Sequence, residues 1–400
     1  MLLYFNPGHE TAVINASPYY TPPANVLQMQ RDLSFLPAWY GEAEDYVLVN
    51  DAANKDYAIQ LEKHFKNLSQ PILLNSIVTI PNEKISLWGI SPQAIRFFSE
   101  INREYGTHLN IPAWKPEYTY FNSREAAKDC LVEIIKTLPE ISKNLIPCFC
   151  KTLEDIEAIM SASKRPMLAK APYSSSGRGL LWLSDKLSDK EKEFLRGILK
   201  KQGAVSLEAV LDKTADFSMQ FMCDGKGDVR FEAYSLFETS QRGAYEGTFL
   251  YSQEKISALL TEKIPASLLE NVKRAVLAVL KRKYAAVYEG CIGVDMMIYR
   301  ENGAYKLHPC LEINMRYNMG YLSVKLQQNY LAPASEGKFQ IEYNAKEGAI
   351  YEKHIEAQGL FPPEIGDGKL KNGYLALCPV TPQSKYRAYI EVNQKLHNAE

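Results

Sequence analysis

The 400-residue chain lacks the short signatures that would name a cofactor at once. It has no G-x-G-x-x-G, so no dinucleotide site is signalled, and no G-K-[ST] ending that would turn a glycine loop into a Walker A motif. Its seven cysteines (Cys130, Cys148, Cys150, Cys223, Cys291, Cys310 and Cys378) are odd in number and include no Cys-x-x-Cys. That argues against a zinc module and a disulfide framework, and leaves reduced structural thiols. Long apolar runs are missing: Leu2-Leu3-Tyr4-Phe5 gives way at once to Asn6-Pro7-Gly8, and no later run could span a bilayer. A cytoplasmic protein without a membrane partner is the expectation. Charge of one sign is missing as well, since 46 basic residues meet 47 acidic ones. A net charge of -1 offers no general attraction to nucleic acid, which leaves small molecules as the expected partners.

What is present reads as an ordinary globular protein, 46% hydrophobic and 23% charged, long enough for two to four domains. Residues 1–115 alternate short apolar strands (Leu2 to Phe5, Tyr46 to Val49, Ile72 to Leu74, Ser86 to Trp88) with helical periodicity at Ala24 to Leu36, Lys55 to Phe65 and Pro92 to Glu104. That alternation predicts a small parallel α/β domain, with a long loop from Asn6 to Pro23 at its ligand-binding carboxyl edge. A second domain is expected after Pro112 and Pro116, beginning with a helix capped by Ser123. Strand, Gly/Ser loop and strand then follow from Pro166 to Leu183. Two hairpins, Phe217 to Phe237 and Cys291 to Asn314, predict an antiparallel sheet. The last 70 residues read as loop-rich, with one hairpin formed by Gly373 to Cys378 and Tyr386 to Val392.

The chemistry is concentrated in three places. In Leu311-Glu312-Ile313-Asn314-Met315-Arg316 an acid, an amide and a guanidinium recur at every second position, so an extended strand presents all three on one face. The hairpin can bring Asp295 opposite Glu312, and two facing carboxylates repel unless a cation lies between them. Magnesium needs few protein ligands and fills its shell with water and phosphate oxygens, so Asp295, Glu312 and Asn314 suffice. A solvated polar sheet face is the plainer alternative.

The loop Ser174-Ser175-Ser176-Gly177-Arg178-Gly179 offers flexible backbone donors, hydroxyls and a cation to phosphate oxygens, with Lys170 four residues upstream; a mobile surface turn would look the same. Backbone groups near Val210 could read an adenine edge, with Glu208 on its amino group and Asp216 on ribose hydroxyls, or the two acids could simply be exposed. A His308/Cys310 metal site lacks further soft ligands at suitable spacing.

In this order, Lys170 with its loop, Glu208 and Asp216, Asp295, and Glu312-x-Asn314-x-Arg316, the pieces resemble the ATP-grasp superfamily over residues 116–325. The resemblance implies an N-terminal α/β domain (1–115), two lobes with antiparallel sheets (116–203 and 204–330) and a C-terminal extension (331–400). It implies that Arg124, Lys170 and the loop hold ATP phosphates. Glu208 and Val210 would read adenine, and Asp216 the ribose. Asp295, Glu312 and Asn314 would ligate two magnesium ions, with Arg316 facing the acyl phosphate or carboxylate. One departure stands out: Gly293 occupies a position where D-alanine:D-alanine ligase has an arginine, and Arg230 or Arg242 could replace it. The expected activity is ATP-dependent joining of a small carboxylic acid to an amine, with a homodimer as a candidate assembly. A phosphotransferase and a nucleotide-sensing module are the alternatives. His9, Arg242 and the segment Gln241 to Gly247 are expected at the acceptor pocket.

Overall fold

The computed structural model describes residues 1–174 and 179–394 and divides them into two compact units. The first takes residues 1–115, 247–255 and 316–394; the second takes 116–246 and 256–315.

In the first unit the strand Leu2–Tyr4 is central and fully buried, as its unbroken apolar sequence requires of a parallel strand covered on both faces. It pairs in parallel with Tyr46–Val49 on one side and Ile85–Leu87 on the other, and Gln70–Leu73 completes a four-stranded sheet. The helix Pro92–Tyr105 begins where Ser91 accepts a hydrogen bond from the Ala94 N–H, with Pro92 in the first turn. The expected long loop after the first strand is corrected: residues His9–Asn15 form a short helix that buries Ala12 and Val13 and closes on Ala16 in the left-handed region. The helix begins right after a proline and glycine that read as loop, and seven residues are too few for periodicity to show.

Two further elements correct the loop-rich reading of the last 70 residues. Ser335–Tyr343 is a strand, paired antiparallel with Tyr386–Gln394 along its whole length, and Ala349–Leu360 is a helix. The helix leaves Ile355 and Leu360 exposed and buries His354, so no apolar stripe announced it. His354 Nδ1 lies 2.9 Å from the Tyr374 hydroxyl, and burial lowers its pKa to about 4. The expected final hairpin is present as Lys369–Ala376 with Tyr386–Gln394. These residues pack with the N-terminal ones: the buried Trp39 donates its Nε1–H to the Leu377 carbonyl at 2.7 Å and meets Phe65 and Tyr330 edge to face.

The second unit holds two antiparallel sheets. One orders Cys148–Cys150, Val205–Ala209, Met167–Lys170 and Leu180–Trp182. The helices Leu153–Ala162 and Asp189–Gln202 cover it through Ile156, Leu195 and Ile198. Both open on capping boxes, Thr152 with Asp155 and Ser188 with Glu191, so the sequence marks their starts.

The other sheet orders Val229–Thr239, Asp212–Asp224, Glu289–Glu301 and Ala304–Asn314. Its last two strands join at Asn302-Gly303, both with positive φ (52° and 80°), the two-residue turn that matches strand twist. The segment Gln241 to Gly247 is partly strand. The strands run to Thr239 and restart at Tyr245, leaving a turn closed by Ser240 and Ala244. Among the described residues no helix is long and apolar enough to cross a membrane.

Candidate active site

The turn at Asn302-Gly303 sets the register that runs back to the acids. Glu301 faces Ala304, and Asp295 faces Glu312, with a shift between Asp295 and Met297 in the region of Pro309. A proline has no N–H to give the ladder, so an irregularity is expected there. The register places the two carboxylates opposite each other across the strand pair. Asn314 donates its side-chain N–H to Asp295 Oδ2 at 3.0 Å, which leaves its oxygen as an acceptor.

Arg124 opens the helix Arg124–Thr137, capped by Ser123 as the sequence predicts. Its guanidinium donates to Glu312 Oε2 at 2.9 Å, to the Ala171 carbonyl at 3.2 Å and to the Ser174 hydroxyl at 3.4 Å. One cation thus ties Glu312 to the start of the Gly/Ser loop. The two ends of that loop meet, because the Ala171 N–H donates to the Gly179 carbonyl at 2.8 Å, and a Cβ on Gly179 would fall 2.5 Å from Ser174 Cβ. Gln202 clasps Tyr173 through both backbone groups. Ser175, Ser176, Gly177 and Arg178, expected at phosphate, lie outside the described residues.

Lys170 ends its strand buried and forms an ion pair with Glu208, which the antiparallel register Leu168↔Glu208 brings alongside. Burial pushes the Glu208 carboxyl up, but the charge and hydrogen bond of Lys170, with the charge of Arg124, outweigh it and hold the pKa below the usual value. His308 is fully buried beside the pair; burial lowers its pKa to about 4, so the ring is neutral. The Cys310 N–H donates to His308 Nδ1 at 3.4 Å, which puts the ring proton on Nε2. A hydrogen bond with Cys130, burial and the nearby acids keep the Cys310 thiol protonated.

Arg124, Lys128, Lys170, Glu208, His308 and Cys310 line a small cavity of about 10 Å³, room for roughly one water. Lys128 is a residue that sequence reasoning missed, although its position four after Arg124 on one helix was the signal.

The other expected residues each have neighbours of their own. Asp216 accepts from Lys213 at 2.6 Å and from the Thr239 hydroxyl at 2.7 Å, a polar cluster within its own sheet. The Val210 N–H donates to the Pro166 carbonyl at 2.8 Å, so that donor is already engaged. Gly293 faces Asn314 and Gln220. Arg230 is largely exposed and paired with Glu232, and Arg242 is exposed in the turn after Thr239. Arg316 belongs to the first unit, where its Nε donates to Glu10 Oε1 at 2.6 Å.

The donors around Asp295 are hard oxygens, two carboxylates and an amide, which fit magnesium and not a soft metal. Among the described residues no group of three or more His, Cys, Asp or Glu is placed to hold a metal.

No family model matches the chain, and a search of curated proteins finds no match. Solved structures do match. A biotin carboxylase domain dimer of the Hydrogenobacter thermophilus 2-oxoglutarate carboxylase, in complex with MgADP, ADP and bicarbonate, superimposes with a TM-score of 0.50 at 11% identity, covering 98% of this chain and 85% of that one. The Campylobacter jejuni biotin carboxylase in its β,γ-ATP complex gives 0.50 at 12% identity, covering 98% and 88%. The Staphylococcus aureus N5-carboxyaminoimidazole synthetase with ADP gives 0.48 at 12% identity, covering 100% and 93%. The likeness is one of architecture, and the chain has the ATP-grasp fold.

Proposed function

We propose that the protein is an ATP- and Mg-dependent ligase that activates a carboxylate as an acyl phosphate and passes it to an amine, releasing ADP and phosphate. The observation that carries the reading is Asp295 opposite Glu312, with Asn314 on Asp295 and Arg124 on Glu312, beside the buried Lys170. Hard carboxylate oxygens and neighbouring cations together suit a metal-bound polyphosphate. The MgADP and β,γ-ATP in the two biotin carboxylase structures support the same ligand class.

Asp295, Glu312 and the Asn314 oxygen would hold magnesium, one or two ions. Bound there, magnesium would neutralise charge on the β- and γ-phosphates. Arg124 would exchange Glu312 for a phosphate oxygen, and Lys170 would exchange Glu208, so each cation keeps a charged partner throughout. Ser174 and Gly179, at the two ends of the loop, would frame the phosphates together with Ser175, Ser176, Gly177 and Arg178. Glu208, once released, would face the adenine amino group along with the Val210 carbonyl, and Asp216 the ribose.

In the reaction a substrate carboxylate oxygen forms the new bond to the γ-phosphorus while the bond to the bridging oxygen breaks and ADP leaves. The amine then attacks the acyl carbon, phosphate departs with the bonding pair, and the amine loses a proton. Arg316 would grip the carboxylate, and Arg242 would close on the acceptor. No protein nucleophile is needed.

Titration calorimetry with ATP·Mg tests the site: the wild type should bind, and Glu312→Gln should weaken metal-dependent binding at least tenfold. Equal binding by both would remove Glu312 from it. An ADP-release screen over small carboxylates and amines tests the reaction, and phosphate retained on a product instead of free would make the protein a phosphotransferase.

A further inference from the structure

At the carboxyl edge of the parallel sheet the strand Leu2–Tyr4 runs into Asn6, and the strand Ile85–Leu87 runs into Trp88 and Gly89. Asn6 clasps Gly89 in both directions, its Nδ2–H donating to the Gly89 carbonyl at 2.7 Å and its Oδ1 accepting from the Gly89 N–H at 3.2 Å. A Cβ at Gly89 would fall 2.3 Å from His9 Cγ, so the bare glycine is what admits the imidazole. His9 is 1% exposed, and neither of its ring nitrogens has a hydrogen-bond partner. A buried polar ring in that condition is destabilising and requires an explanation. The next residue supplies one. Glu10 holds Arg316 at 2.6 Å, its second oxygen lies 3.8 Å from His9 Nδ1, and the Glu10 and Arg316 side chains are each only 16% exposed.

We propose that the substrate gripped by Arg316 is a zwitterion, an α-amino acid or close relative, whose carboxylate takes Arg316, whose ammonium takes Glu10, and whose polar atoms meet the His9 ring. The proposal rests on reading the chain as a carboxylate ligase, and it names that reading's substrate class. The argument is one of charge conservation. Separating a largely buried ion pair is expensive when either partner is left alone. A simple carboxylate that captured Arg316 would strand the largely buried Glu10 without its cation. A simple amine that captured Glu10 would leave Arg316 without that carboxylate. Opposite charges one carbon apart exchange with both partners at once. An unpartnered imidazole 3.8 Å from the pair then acquires a neighbour it can bond.

The test measures binding to the full chain by calorimetry, without nucleotide and again with MgADP. Probes are the standard amino acids in both enantiomers, each hit being compared with its des-amino acid and its decarboxylated amine, as alanine with propionate and ethylamine. At least one amino acid should bind, with both half-ligands at least tenfold weaker. Glu10→Gln should weaken the amino acid at least tenfold and narrow its advantage over the des-amino acid. The comparison of half-ligands on the wild type stands even where the variant fails to fold. No binding by any amino acid, or equal binding by the des-amino acid, overturns the proposal. ATP turnover on plain carboxylates alone would sink it and leave the ligase reading intact; amino acid binding without any ATP·Mg binding would do the reverse.

Discussion

Replacing Lys170 with methionine removes the cation from a pair in which the Lys170 side chain is 9% exposed and that of Glu208 17%. At contact distance and an effective dielectric near 20, the gross attraction is on the order of 5 kcal/mol, and desolvation offsets much of it. The observable cost is that of stranding the survivor. For a pair this buried it should be about 3 kcal/mol in Lys170→Met, and similar in Glu208→Gln, where the amide cannot neutralise the lysine. The double variant leaves no orphan charge, so its cost should fall short of the sum by about 2–3 kcal/mol. In thermal unfolding each single change should lower the midpoint by roughly 6–10 °C, and the double by much less than twice that. ATP·Mg binding should not follow stability: the double variant recovers the fold and still lacks the phosphate-binding cation, so its affinity stays at least tenfold down. Additivity within about 0.5 kcal/mol would refute the pairing, and nucleotide binding restored alongside stability would refute the role of Lys170.

Arg124→Ala should weaken ATP·Mg at least tenfold by calorimetry, since one guanidinium serves Glu312, Ala171 and Ser174 together; unchanged affinity would make it purely structural. Gly89→Ala drives a methyl into His9 and should lower the urea midpoint by the equivalent of about 1–3 kcal/mol. His354 has a folded pKa of about 4 against 6.5 in the open chain, so between those values the unfolded state binds more protons. Stability should therefore fall as pH drops from 6.5 toward 4, by roughly 2 kcal/mol from this residue, and His354→Gln should flatten that part of the denaturation profile. Glu191, held at a pKa of about 2 by hydrogen bonds from Ser184 and Ser188 against the opposing effect of burial, stabilises its helix above pH 4.5 and loses that contribution as pH falls toward 2. Glu191→Gln should remove the acid-sensitive portion, read as helix loss by circular dichroism.

The parts of the fold legible in the sequence were those with local causes. Asn302-Gly303 specifies a turn, Ser123 and Thr152 specify helix starts, and alternation put Glu312 and Asn314 on one strand face. What depended on distant pairing was not legible. The Arg124–Glu312 contact joins residues 188 apart, and Lys170 meets Glu208 only because nonconsecutive strands adopt one register. Reading Lys170 and Glu208 as ligands of different parts of one molecule gave no hint that they would bind each other. Local rules also passed over His9–Asn15, too short to show a period, and Ala349–Leu360, whose apolar residues do not gather on one face.

On the proposed function, the pairs Lys170–Glu208 and Arg124–Glu312 would carry a consequence for selectivity among nucleotides. Each acid is a resident competitor for the cation beside it, so an incoming ligand must outbid two carboxylates before any affinity registers. A nucleoside monophosphate brings too few charges to displace both and no metal to compensate the acids it frees. A metal-bound triphosphate supplies anions for the cations and a cation for the acids in one step. At the proposed ATP site the protein's own counter-ions would thereby act as a threshold on phosphate number, set by ion pairs formed in folding and independent of any residue that reads the base.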